Sequence, residues 1–161
     1  MEALTGFEHK FKYGMVGHSG RSHRHPLIES DDGAPSTATD RMDIIRQMRG
    51  TAGGATSGDS TLLATERAVR EVLEEADEVD DRIVIVVSDG NLGRYGITPE
   101  ELTAAMQIDP SVQCYLIFIA EAGAAQWLVS QLPLQSAYAC MDLESLPSTL
   151  KDIFAHAANR E

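Results

Sequence analysis

The segment Arg82 to Asp89, Arg-Ile-Val-Ile-Val-Val-Ser-Asp, constrains this chain more than any other. Five β-branched residues follow one another from Ile83 to Val87, a pattern stiff at χ1 and poorly suited to helix. No polar face alternates with the apolar one, so the stretch reads as a strand covered on both sides, as in a parallel sheet. Val112 to Ala120 has the same character, and Ser136 to Met141 reads as a short further strand. Lys10 to Val16 is a weaker candidate that alternates in part.

Helical patterns fall between these runs. Asp40 to Arg49 places Met42, Ile45 and Met48 on one stripe, with Thr39 as cap and Gly50 as stop. Thr61 to Ala76 is expected to bury Leu62, Val69, Leu73 and Ala76, with Glu66–Arg70 and Arg67–Glu71 pairs outside. Thr98-Pro99-Glu100-Glu101 has the form of a capping box with proline at the first helical position, opening a helix to about Gln107. Ala124 to Leu132 and Pro147 to Ala158 complete the set, with Leu150, Ile153, Phe154 and Ala157 inward and Trp127 packed in the core. Alternating strands and helices at this spacing predict an α/β fold, doubly wound, with a mostly parallel sheet and helices on both faces.

The 161 residues are the length of one domain, and 1–161 is read as such. The exception is the polar stretch 18–37, expected to be a flexible loop or insertion with only Pro26 to Glu29 as a possible edge strand. A net charge of −12 repels phosphate backbones and argues against nucleic acid as a partner. The longest apolar run is about seven residues, against roughly 20 for a membrane span. Neither a secretory signal nor a transit peptide is legible at the N-terminus. Cys114 and Cys140 fall within apolar strands and read as buried, reduced thiols in a reducing compartment.

Chemistry concentrates in two places. Asp89 stands just beyond the strongest strand, where ligands bind in open α/β sheets, and position alone leaves cation ligand and helix cap equally open. Ser57-Gly58-Asp59-Ser60-Thr61 is a glycine-containing loop that runs into a helix, where hydroxyls usually cap. It lacks the lysine and the spacing of a P-loop, and no GxxxxGK[ST] pattern occurs anywhere. His18, His23 and His25 could in principle hold Zn²⁺, but their spacing is unspecific and a solvated loop is the simpler reading. Ser19 beside His18 has no visible acid or oxyanion partner, so no catalytic residue is assigned.

A loop ending in threonine, followed about 28 residues on by a buried strand ending in Ser-Asp-Gly, resembles the von Willebrand factor A domain. The segments VGHSG (16–20), SGDSTLLATE (57–66), VIVVSDGNLGRYGI (84–97) and IFIA (117–120) extend the likeness, and point to an A domain attached to a mitochondrial AAA-type ATPase. The resemblance implies a metal-ion-dependent adhesion site with Thr61 and Asp89 as Mg²⁺ ligands, accepting a carboxylate from a protein partner. It also implies an adaptor role, beside AAA modules that lie outside this sequence, and a mitochondrial location. One departure weakens the metal expectation: the family's Asp-x-Ser-x-Ser segment, which supplies three of five ligands, is not found. Met1 to Phe7 reads as starting within the family's first helix, so its central first strand is expected to be missing and Mg²⁺ binding weak or absent. Marginal stability is expected with it, because Lys10–Val16 and Arg82–Val87 must close on each other or leave unpaired edges. The chain is therefore read as a non-catalytic protein-interaction domain. The alternatives are a metal-dependent hydrolase or phosphotransferase using Asp89, and a fragment without independent function. The first would need a lysine near the strand ends, and Lys10, Lys12 and Lys151 are not suitably placed.

Overall fold

A computed structural model of the protein describes residues 11–20, 22–33, 35–52, 59–74 and 79–158. The chain divides into two compact units, Met1–Ser60 and Thr61–Glu161.

The first unit holds β1 (Met15–Ser19), β2 (Ser22–Ile28) and α1 (Ala38–Ala52). β1 and β2 pair antiparallel, with Met15 opposite Ile28 and Ser19 opposite Ser22, and the register shifts twice along the ladder. The strand expected over Lys10–Val16 thus lies further on, and Lys10 falls outside the described residues. The polar stretch expected to be a loop contains most of this hairpin. Its His and Arg side chains hid the strand, because a two-stranded ribbon need not bury either face. The hairpin is held by polar contacts: Ser19 Oγ lies 3.0 Å from His25 Nε2, Arg24 pairs with Glu29 at 2.7 Å, and Ser60 Oγ donates to the Ser19 carbonyl at 2.7 Å.

α1 begins earlier than expected and is capped by Thr37, not Thr39. Thr37 Oγ1 accepts from the Asp40 N–H at 3.1 Å, and Asp40 Oδ2 accepts from the Thr37 N–H at 2.8 Å. These reciprocal bonds satisfy groups at the helix start. The Thr37 backbone bond, followed by its hydroxyl, holds the Asp40 carboxyl below its usual range. Gly50 does not stop the helix, which continues to Ala52. The residues Met42, Ile45 and Met48, expected to form one stripe, are exposed.

The second unit carries α2 (Thr61–Glu74), β3 (Arg82–Ser88), a 3-10 turn (Asn91–Tyr95), α3 (Pro99–Met106), β4 (Val112–Ile119), α4 (Ala122–Gln131), β5 (Ala137–Cys140) and α5 (Leu146–Ala157). Its three strands form a parallel sheet in the order β3-β4-β5. β4 sits in the middle, which is why its side chains from Cys114 to Phe118 are all buried. Alternation along the strands divides them between two layers. Val84, Val86, Cys114, Leu116 and Phe118 pack with Val69 of α2, Leu102 and Met106 of α3, Leu128 of α4 and Leu132 just beyond it. Tyr115 and Ile117 face the other way, against Ile153 and Ala157 of α5. The α/β reading with helices on both faces therefore holds. One layer has three helices and the other has α5, so cover thins toward β3, where Val87 is 41% exposed.

The capping box at Thr98 forms as its sequence predicts: the Glu101 N–H donates to Thr98 Oγ1 at 3.2 Å, and the Thr98 N–H to Glu101 Oε2 at 2.9 Å. Arg67 and Glu71 pair at 2.6 Å, while Ala76 lies outside the described residues. Both cysteines are free and buried, and burial pushes the Cys114 thiol up to about 12. Trp127, expected in the core, is 58% exposed on α4, whose buried side is formed by Ala125 and Leu128. No helix among the described residues is long and apolar enough to cross a membrane.

Candidate functional site

The C-terminal edge of β3 is built by a sharp change of backbone conformation. β3 ends at Ser88, and Gly90 adopts φ +75°. A side chain there would be strained in the left-handed region, and its Cβ would meet Leu128 Cδ1 at 3.1 Å. The turn is fixed by its own side chains: Ser88 Oγ accepts from the Gly90 N–H at 3.2 Å, and Asp89 Oδ1 from the Asn91 N–H at 3.0 Å. Asp89 thus ties down the start of the 3-10 turn while remaining exposed. This bond closes a turn around Gly90, which is the cap residue of the 3-10 turn. Ser88, which sequence reasoning passed over, is buried and equally engaged in this turn. The signal for it was the Ser-Asp-Gly triplet, since short polar side chains before a left-handed glycine bond their own backbone two residues on.

Thr61 opens α2 and is fully buried, with Thr65 Oγ1 donating to its carbonyl at 2.8 Å. α2 packs against β3; Thr61 stands at the start of that helix and Asp89 directly follows the last residue of that strand.

As a metal site the edge is sparse. Mg²⁺ takes about six oxygen ligands in near-octahedral geometry, several of them water. A buried hydroxyl and an exposed carboxylate with one oxygen already bonded do not amount to a resident centre. Among the described residues no group of three or more His, Cys, Asp or Glu could hold a metal ion. That statement covers His18, His23 and His25, which are half-buried on the hairpin and not in a solvated loop. The Ser19–His25 contact has the pairing of a nucleophile and a base. No carboxylate orienting the imidazole accompanies it among the described residues, and it serves here as a cross-strand tie.

No protein-family profile matches the chain, and no solved structure does. Over 155 residues, 96% of its length, it is 36% identical to von Willebrand factor A domain-containing protein 8 of Mus musculus. The chain spans about 8% of that protein's length.

Proposed function

This chain carries a von Willebrand factor A-related domain, and we propose that it acts as a protein-interaction module and not as a catalyst. The observation that carries the reading is identity at 36% over nearly the whole chain, coupled with a parallel sheet flanked by helices. The adaptor works beside a larger machine, in keeping with a relative many times its length, and AAA-type ATPase modules in mitochondria are the setting proposed for it. At the sheet edge the partner presents a carboxylate, and a cation shared with Asp89 and the Thr61 hydroxyl would neutralise it. With so few donors, Mg²⁺ binds this chain weakly or not at all by itself.

Isothermal titration separates the cases. We expect no saturable Mg²⁺ binding at micromolar concentration; micromolar affinity that Asp89→Ala abolishes would overturn the weak-metal part of the reading. Turnover of a generic phosphate ester, lost in the same variant, would overturn the non-catalytic part. In a phosphatase-like or receiver-like site, further acids and a lysine would cluster at the strand ends, and the chain's three lysines lie at 10, 12 and 151.

A further inference from the structure

The apolar stripe of α1 goes beyond the sheet-edge reading and concerns a different surface. Met42, Ile45 and Met48 are each 47% exposed, and Ile44 alone among the larger apolar side chains of this helix is half-buried. At about 100° per residue, the three fall within one 120° sector, and Arg41 and Arg49 fall inside the same sector, one near each end. The helix's other charges are engaged. Arg46 pairs with Asp43 at 2.7 Å, and Asp40 caps the helix start. Arg41 and Arg49 are exposed, and their guanidinium groups hold no ion pair or hydrogen bond among the described residues. Arg41 moreover lies in the first turn, where the helix dipole disfavours a cation. A locally unfavourable residue beside an uncovered apolar stripe marks a surface shaped by something other than folding.

We propose that this face of α1 docks an acidic amphipathic helix from another protein. The stripe supplies the apolar contact, with methionine and arginine side chains of the kind enriched at interfaces. The two arginines supply the register: eight residues apart, they are separated by about 12 Å along the axis. A facing helix meets both with carboxylates seven or eight residues apart, two turns of its own length. The chain's net charge of −12 does not defeat this, because at physiological salt charges more than about 8 Å away are screened.

The same residues argue against two other occupants. A second copy packing antiparallel about Ile45 would set Met42 against Met48, but also Arg41 against Arg49, placing like charges in contact. An anionic membrane gains about 1 kcal/mol from each basic residue near it, and α1, with three arginines against two aspartates, presents little net positive charge to it. A peptide touches the stripe alone.

The test is fluorescence anisotropy of a labelled synthetic helix, with leucines on one face and glutamates seven and eight residues apart, titrated with the full 161-residue chain. Saturable binding is expected, weakened about tenfold or more by Arg41→Glu with Arg49→Glu, because two exposed pairs become repulsions. A peptide with lysine at the glutamate positions should restore binding to that double variant. Arg41→Gln with Arg49→Gln gives an intermediate loss and guards against misfolding, which far-UV circular dichroism monitors in every variant. Met42→Ser with Ile45→Ser should abolish binding without changing the helix signal. Absence of binding, or binding indifferent to the arginine charge, overturns the proposal. So does binding to phosphatidylserine vesicles in place of the peptide, or sedimentation showing a dimer that the peptide does not dissolve.

Discussion

The two units of this chain use the same apolar residue types to opposite effect. In Thr61–Glu161, strands alternate side chains into two layers and helices cover them. In Met1–Ser60, among the described residues, Ile28 is the one buried apolar side chain, and the hairpin is fastened by serine, histidine and ion-pair contacts. Exposed pairs of that kind contribute about 0–1 kcal/mol each, whereas one fully buried large side chain contributes about 1.5–3 kcal/mol. Stability therefore resides in the second unit, and the first is free to present its surface.

Removing Phe118, which is fully buried in the middle strand, tests the stronger half of that contrast. Phe118→Ala should cost about 3–5 kcal/mol in urea denaturation, from lost burial and the cavity left behind. Ile28→Ala should cost about 2 kcal/mol or more, but only in the hairpin. Hydrogen exchange would show faster opening of amides in β1 and β2 with those of β4 unchanged. Equal acceleration in both would mean that the two units unfold as one body, and the contrast would fall.

Two smaller effects compare the helix caps. Thr98→Ala breaks the capping box of α3 and should lower stability by about 1 kcal/mol, read as a shift in thermal midpoint. The Thr37–Asp40 cap of α1 is pH-sensitive. Its carboxyl is held below the usual value, so its contribution is complete above the unfolded aspartate pKa near 4 and declines as pH falls through the folded value. Fraying of α1 on acidification, followed by backbone NMR shifts, should vanish in Asp40→Asn. An α1 signal that stays constant from neutral pH to below pH ~3 would remove the cap from the account.

Legibility followed the same division. The strands β3 and β4, the helix begun by Thr98-Pro99 and the buried cysteines were readable because pattern and packing agree there. α1 was readable as a helix with one apolar stripe, but nothing in the pattern said that the stripe would stay exposed. Trp127 was misplaced for the same reason: periodicity tells which residues share a face, not whether anything covers that face. The hairpin was missed because its residues carry no apolar alternation, and its pairing depends on contacts between positions such as Ser19 and His25. Asp89 was singled out from its place after the strand, but its bond to the Asn91 N–H is a turn contact that only the folded backbone displays.

What the sequence determined by itself was local: the β-branched run that forms a strand, the capping box that starts a helix, and the apolar runs that hold the cysteines. These depend on near neighbours and on composition, which a chain carries before it folds. Tertiary structure alone decided which apolar faces are covered and that the chain forms two units. Those outcomes rest on contacts between distant residues, and burial is a property of the partner as much as of the side chain.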